Sequence, residues 1–294
     1  MSSEVWEAIV VGGGIEGSST AYHLAQAGRK TLLLEQAPPL LCHHSNALAS
    51  HVCSSLCLTV GAAAAGRVAL PRVWSSTAPP CLFRKTGLLT TGPNQAELEE
   101  LSRAMSKYKV SYRRLCPQEM REEFGHFLAC DGSSTGVYDP SGGILAASRC
   151  LQAFQRQFVK LGGVIKDGEP AEYRGKVVIL CLGPWAGPFL VKHLHLHIPI
   201  KANILYFLIS ALFPCIIIEE EDKGPYGCLY YYGCSAWEYP GLYKFCLANS
   251  GPANEADQRD RDPGTSGEEV EKLKSAVRRY FPGLHSTSRR WLMA

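Results

Sequence analysis

A glycine-rich turn near the N-terminus is the segment of this sequence best suited to do chemistry. It follows an apolar, β-branched run at 6–11 and precedes a helical pattern at 18–27, and a second apolar run at 31–34 closes on an acidic residue. In such a unit the first glycine permits the tight turn, the second lets backbone approach a pyrophosphate, and the third lets the helix pack on the strand. The candidate cofactor-binding residues are Gly12, Gly13, Gly14, Ile15, Glu16, Gly17, Glu35 and Gln36.

The spacing of these parts predicts a dinucleotide-binding βαβ unit. Free N–H groups and the positive end of the helix would meet phosphate charge. Glu35 would accept hydrogen bonds from ribose hydroxyls, which argues against NADP. The structural alternative is a glycine-rich turn with an incidental glutamate at a strand end.

Periodicity and capping signals predict the remaining elements. Asn94 is expected to cap a helix that runs to Tyr108, and an apolar stripe predicts a helix over 146–161. A capping box of Ser266 and Glu269 opens a last helix, which Pro282 ends. Other expected elements are a helix over 117–124 and a buried strand over 176–181 that runs into Gly183, Pro184 and Trp185.

Composition excludes several classes of function. The chain has 294 residues, enough for two domains, and its net charge of +3 requires no basic face for nucleic acid. No basic region precedes an apolar segment at the N-terminus, so no secretory signal is expected. The 12 cysteines include no CxxC pair and are interpreted as reduced thiols without a zinc site or disulfide framework. The apolar run 204–218, interrupted by Pro214, is shorter than the ~20 residues of a membrane span and predicts one or two buried strands.

Three histidines alternate along the segment 192–198. His193, His195 and His197 would share one face of a strand, where three imidazoles could ligate a metal. A solvated strand face with the leucines turned inward explains the pattern as well, and we predict no metal site.

The stretch from Gln36 to Pro80 is different in kind from the rest of the chain. It contains no Asp or Glu, and no Lys or Arg lies between Lys30 and Arg67. No helical or strand period persists through it, so we expect an aberrant and partly disordered segment, as an altered exon or a shifted reading frame would produce.

Longer segments of the chain resemble the peroxisomal sarcosine oxidases and L-pipecolate oxidases, flavoenzymes of the monomeric sarcosine oxidase type. The resemblance is carried by "WEAIVVGGGIEGSSTAYHLAQAGRKTLLLEQ", "GVYDPSGGILAASRCLQAF", "VVILCLGPWAG" and "EYPGLYK". It implies FAD as the cofactor and oxidation of a secondary-amine amino acid to an imine, with O2 reduced to hydrogen peroxide. Lys244 matches the family lysine beside the flavin, and Tyr232 matches a tyrosine of the substrate pocket. Gly183 and Trp185 match residues that lie near the cofactor.

The sequence also departs from that family. The arginine-bearing segment that contacts the flavin is replaced by the acid-free stretch, and the family histidine after the lysine falls at Ala248. No cysteine follows Cys246 to bond covalently to FAD, and the last residues are not a peroxisomal retrieval tripeptide. We therefore expect a chain whose C-terminal part is missing and whose activity is impaired. The resemblance implies a peroxisomal monomer, and the missing signal leaves the cytoplasm open.

The sequence thus predicts an α/β fold in which a Rossmann-like FAD-binding domain is interleaved with a mostly antiparallel-sheet substrate domain. Residues 1–80 and 137–195 are expected to form the first domain, 81–136 and 196–283 the second, and 284–294 a tail. The implied partners are sarcosine or L-pipecolate and O2, without nucleic acid or membrane. Two alternatives stay open: a truncated form that at most binds a dinucleotide, and an NAD-dependent dehydrogenase.

Overall fold

The computed structural model describes residues 4–36, 50–53, 82–168, 171–196, 203–208, 214–221, 228–236, 241–248 and 267–282. Within them the chain forms two compact units. The strands are β1 (Val5–Val11), β2 (Thr31–Glu35), β3 (Ser50–Cys53), β4 (Phe83–Lys85), β5 (Leu88–Thr91), β6 (Arg113–Leu115), β7 (Gly136–Asp139), β8 (Gly143–Ala146), β9 (Val164–Asp167), β10 (Arg174–Leu180), β11 (Asn203–Leu208), β12 (Cys215–Glu221), β13 (Cys228–Ser235) and β14 (Leu242–Ala248). The helices are α1 (Ile15–Gln26), α2 (Gln95–Lys107), α3 (Pro117–Phe124), α4 (Ala147–Lys160), α5 (Ala186–Leu194) and α6 (Gly267–Tyr280).

The first unit is a parallel sheet with helices packed on it. Its described strands lie in the order β10-β1-β2-β9, all parallel where they pair. Parallel neighbours need crossover connections, and α1 supplies the one between β1 and β2. Helices α1 and α4 bury Ala21, Phe154 and Phe158 with Val10 and Leu33 of the sheet. This is the predicted βαβ unit, with α1 starting at Ile15 rather than Ser18 because Gly14 serves as its N-cap.

Strand β10 corrects one prediction about burial. The sequence predicted a buried strand over 176–181, but Val177, Val178 and Leu180 are 53%, 55% and 47% exposed. The strand is the outermost in the described sheet and pairs there with β1 alone. Its apolar side chains are therefore exposed although their residue types are typical of a buried strand.

The second unit is built on a mostly antiparallel sheet. Its described strands lie in the order β11-β14-β13-β12-β5-β7-β6, with one parallel pair, β12 with β5. A smaller sheet has the order β3-β8-β4. Strands β7 and β8, which the sequence analysis assigned to the first domain, belong to the second unit, and the chain passes to the first unit at Ala146. The two units together have the predicted α/β fold with a Rossmann-like and a mostly antiparallel part.

Successive side chains along the strands of the large sheet point to opposite faces, and one of these faces packs against helices. Tyr231, Tyr243, Phe245 and Leu247 lie in one buried cluster with helices α3 and α6. Residues at the intervening positions point to the opposite face, because the side-chain period of a strand is two. That second face carries the candidate residues of β13 and β14.

The remaining sequence predictions have mixed outcomes. The predicted helices over 94–108, 117–124 and 146–161 are present as α2, α3 and α4. The run 204–218 contains β11 and β12, and no described helix is long and apolar enough to cross a membrane. Most of 36–80, together with Ser266 and the tail, lies outside the described residues.

The predicted histidine strand is wrong. His193 belongs to α5 and stacks on Phe189, with ring centroids 4.6 Å apart. His195 caps the C-terminus of that helix with a left-handed backbone, φ 55°, and its amide donates to the Val191 carbonyl oxygen. Phe189 and His193 are four residues apart and meet on one face of the helix, so the segment is helical and not the predicted strand. His197 lies outside the described residues.

Candidate functional site: a dinucleotide-binding turn and a polar sheet face

The glycine turn of the first unit is held by steric constraints at its two ends. Gly12 has φ +105°, and a Cβ there would lie 2.2 Å from the Cys181 carbonyl oxygen. A Cβ on Gly17 would lie 1.8 Å from the Gly12 carbonyl oxygen. Both positions therefore require glycine for the protein's own packing, as the sequence motif predicted.

Gly14 is different, because no atom of the described residues blocks a larger side chain at this position. Its φ of −65° is open to any residue, and a Cβ built there meets no atom within 4 Å. It is also the N-cap of α1 and makes no side-chain cap hydrogen bond. The open space thus lies at a helix N-terminus, where unpaired N–H groups and the helix dipole favour an anion.

Gly13, between them, is fixed by three hydrogen bonds. Its amide donates to Glu35 Oε2 at 2.5 Å. Its carbonyl oxygen accepts from Ser18 Oγ at 2.9 Å and from Gln155 Nε2 at 3.1 Å. Ser18 and Gln155 were missed by the sequence analysis, and Gln155 is 142 residues away along the chain, so no local pattern could have indicated it.

The other predicted cofactor residues lie around this turn. Ile15 and Glu16 form the first turn of α1, and Gln36 is exposed directly after β2. Gly183 has φ +53° and begins a 3₁₀ turn that contains Trp185. The Cys181 amide donates to the Val11 carbonyl oxygen at 2.8 Å, which ties the end of β10 to the end of β1.

The two residues predicted to be catalytic share one face of the large sheet in the second unit. Lys244 lies opposite Cys234, and Cys246 lies opposite Tyr232, in the antiparallel pairing of β13 and β14. Residues directly opposite each other point the same way, and so do residues two apart on a strand. Lys244 and Tyr232 therefore lie on the same face, with Lys244 only 5% exposed.

The surroundings of Tyr232 keep its phenol protonated. Burial, followed by the neighbouring Cys246, raises the pKa of Tyr232 well above its ordinary value of 10.0. Burial likewise raises the pKa of the Cys246 thiol to about 11. Both shifts favour the protonated forms, so Tyr232 and Cys246 are neutral near neutral pH and lie on the same face as Lys244.

The glycine turn fits the ADP part of a dinucleotide cofactor. The space at Gly14 is the cradle that a Cβ would fill, and the N–H groups at the start of α1 suit a pyrophosphate. Glu35 ends β2 beside this turn, where a carboxylate suits ribose hydroxyls. In the described residues no group of three or more His, Cys, Asp or Glu side chains is placed to hold a metal.

A parallel βαβ unit with this open turn, joined in one chain to a mostly antiparallel unit, defines a two-unit nucleotide-binding protein. The chain belongs to the FAD dependent oxidoreductase family, DAO, which it matches over residues 7–292. The predicted cofactor, FAD, and the predicted kinship with sarcosine oxidases are thereby confirmed.

The chain is also similar to individual proteins of known name. The chain is 29% identical to the peroxisomal sarcosine oxidase of Homo sapiens, over 96% of this chain and 78% of the relative. It is 28% identical to the peroxisomal sarcosine oxidase of Mus musculus, over 97% and 79%. Among solved structures it resembles NikD, an unusual amino acid oxidase essential for nikkomycin biosynthesis, with a TM-score of 0.67 at 19% identity over 98% of this chain and 81% of that chain.

Proposed function

We propose that this protein is an FAD-dependent oxidase of a small secondary-amine amino acid, sarcosine or L-pipecolate. The observation that carries the proposal is the open space at Gly14, where the described residues leave room at the start of α1 for a bound pyrophosphate. The similarity to two sarcosine oxidases supports the substrate class.

The first unit would bind the cofactor through backbone amides and through the carboxylate of one glutamate. The amides at the start of α1 would donate to the pyrophosphate, and Glu35 would accept from the ribose hydroxyls. When bound, FAD would accept a hydride equivalent from the carbon beside the substrate's nitrogen, which loses a proton as the C=N bond forms, and would pass two electrons and two protons to O2. The products are an imine and hydrogen peroxide.

The second unit would supply the polar groups for substrate and oxygen. A fixed ammonium at Lys244 stabilises negative charge that develops as O2 takes its first electron, and burial strengthens that effect. Tyr232, whose hydroxyl shares a hydrogen bond with Cys246, would donate a hydrogen bond to the substrate when the substrate is bound.

We also propose that turnover by this chain is slow. The family histidine is Ala248 here, and no cation lies between Lys30 and Arg67 to contact the flavin phosphates. The same observations favour the second candidate, a form that binds a dinucleotide without catalysis.

The test is a comparison of variants of the purified 294-residue chain. A flavin absorption spectrum, with FAD binding tighter than NAD binding in a titration, is expected. Peroxide should form slowly with sarcosine or L-pipecolate, fall about 100-fold or more in Lys244→Met, and rise in Ala248→His. FAD binding without peroxide in any variant would support the non-catalytic candidate, whereas NAD binding in preference to FAD would contradict both.

The two mammalian relatives are peroxisomal by name, and we propose the same compartment for this protein. Fluorescence microscopy of the tagged chain beside a peroxisomal marker tests this. Diffuse cytoplasmic signal would contradict it.

A further inference from the structure

Two cysteines of the second unit face each other on neighbouring strands. The antiparallel register of β12 and β13 pairs Ile216 with Gly233, which sets Cys215 opposite Cys234. Both are buried, at 0% and 1% exposure, in a cluster with Leu88 and Ile144. The sequence analysis saw only dispersed cysteines, because this pair is created by strand register.

Backbone hydrogen bonds show which kind of cross-strand pair this is. The Cys215 amide donates to the Gly87 carbonyl oxygen at 3.0 Å, ahead of β5, and so points away from β13. The Ala236 amide donates to Leu242 on β14 at 2.9 Å, and alternation turns the Cys234 amide the same way, away from β12. Cys215 and Cys234 therefore form a non-hydrogen-bonded pair.

Side chains approach most closely at such a pair. The Cα atoms of a non-hydrogen-bonded antiparallel pair are about 4.5 Å apart. A disulfide needs Cα atoms about 4.4–6.8 Å apart. The two thiols also share a hydrogen bond, so they are in contact without any movement of the strands.

The two thiols have different surroundings. Cys215 also lies 3.5 Å from Thr86 Oγ1. Hydrogen bonds from Cys234 and then Thr86 lower the pKa of Cys215. The hydrogen bond to Cys215, followed by burial, raises the pKa of Cys234. Because the Thr86 hydroxyl lies beside Cys215 and can stabilise its thiolate, we assign Cys215 as the attacking sulfur and Cys234 as the resolving thiol.

We propose that Cys215 and Cys234 are a redox-active dithiol that hydrogen peroxide closes into a reversible disulfide. The Cys215 sulfur attacks a peroxide oxygen, the O–O bond breaks, and water leaves with the thiol proton, so that Cys215 becomes a sulfenic acid. The Cys234 sulfur then attacks the Cys215 sulfur, the S–S bond forms as the S–O bond of the sulfenic acid breaks, and the hydroxyl leaves with the Cys234 thiol proton as a second water. Peroxide is reduced by two electrons and the dithiol is oxidised by two. The proposal goes beyond the oxidase function, because added peroxide is sufficient to test it.

The experiment maps thiols after exposure of the reduced, folded chain to hydrogen peroxide. The reaction is quenched by denaturation with an alkylating agent, and peptides are identified by mass spectrometry. We expect a linked peptide pair that contains Cys215 and Cys234 and that dithiothreitol separates. Cys150→Ser is the matched control, because Cys150 is also buried but belongs to the first unit, and it should keep the link.

Two further variants test the order of attack. With dimedone present, Cys234→Ser should accumulate a sulfenic-acid adduct at Cys215, since no thiol remains to resolve it. Cys215→Ser should give neither a link nor an adduct at Cys234. The proposal is overturned if the wild-type Cys215 and Cys234 stay fully alkylatable while the exposed Cys116 is oxidised, or if each pairs with another cysteine.

Discussion

At the scale of single residues, the glycines of the nucleotide turn have separate roles. Gly12 and Gly17 are required by the protein, since a Cβ on either would overlap a carbonyl oxygen. Gly14 has an ordinary backbone and, among the described residues, open space at the N-terminus of α1, which suits a bound pyrophosphate. Substitution can therefore separate binding from folding within one short turn.

Gly14→Val is expected to weaken FAD binding at least about tenfold, or about 1.4 kcal/mol, because its side chain would fill the phosphate space. The thermal unfolding midpoint without FAD should fall only slightly, because Gly14 is the N-cap of α1 and valine is a poorer N-cap residue than glycine. Titration of the apoprotein with FAD, together with a melting curve, measures both quantities.

Gly17→Ala is the matched variant. We expect it to lower the thermal unfolding midpoint of the apoprotein strongly and to weaken FAD binding less than Gly14→Val does. The added methyl overlaps backbone, so the unit must shift, at a cost of about 1–3 kcal/mol in the free energy of unfolding. Unchanged FAD affinity in Gly14→Val would remove the dinucleotide assignment, whatever the behaviour of Gly17→Ala.

At the scale of elements, a carboxyl pair joins helix α2 to the large sheet. The side chain of buried Glu219 on β12 hydrogen-bonds to Glu97 of α2, and Tyr230 of β13 donates to the same Glu97 at 3.0 Å. Burial, followed by the charge of Glu97, raises the pKa of Glu219 above 4.5, against the opposing hydrogen bond from Asn94. The native state therefore holds a proton at this pair more tightly than the unfolded chain does.

Glu219→Gln is expected to raise the unfolding midpoint at pH 8 and to have little effect at pH 4. A raised carboxyl pKa makes the native state less stable as the pH rises from the unfolded value through the folded one, and the amide removes that loss. Chemical denaturation of the wild type and the variant at several pH values measures the difference.

The control for this prediction is Glu221→Gln on the same strand. Glu221 is exposed at the end of β12 and its charge is the smallest of the effects that raise the pKa of Glu219, so its replacement should give a much smaller pH-dependent change than Glu219→Gln. If the benefit of Glu219→Gln is independent of pH, the shared proton is not its cause.

At the scale of the whole molecule, the outer strand of the first unit exposes apolar surface. Val177, Val178 and Leu180 lie on β10, which pairs on one side with β1. An exposed apolar strand is a template for pairing with another chain. The family resemblance implies a monomer, and the exposed strand β10 is the place where that expectation can be tested by substitution.

We expect the purified chain to self-associate at high protein concentration and Val178→Lys to reduce this association. A lysine on an edge strand opposes pairing with a second strand, and the position is too exposed for the change to lower stability by more than about 0.5 kcal/mol. Light scattering over a concentration series is the measurement.

Val159→Lys provides the comparison, since Val159 is equally exposed but lies on helix α4. It should leave the scattering unchanged. Equal effects of the two lysines would show that net charge, rather than the β10 edge, controls association.

The amino-acid sequence by itself determined the features that depend on neighbours along the chain. The glycine spacing, the acid after β2 and the apolar stripe of α4 are local, and they predicted the dinucleotide-binding βαβ unit and helix α4. The choice of FAD came from the family resemblance, which longer segments of the chain carry. The prediction of a histidine strand was wrong because alternation over a few residues also fits the end of a helix. The prediction that β10 is buried was wrong because hydrophobicity does not reveal whether a strand is central or outermost in its sheet.

Only the tertiary structure decided what depends on pairing between distant segments. Gln155 reaches Gly13 across 142 residues, and Cys215 meets Cys234 because of strand register. The free space at Gly14 is likewise a property of all the atoms around it, not of the motif. Register, strand order and empty volume are set by long-range packing, which no local spacing records.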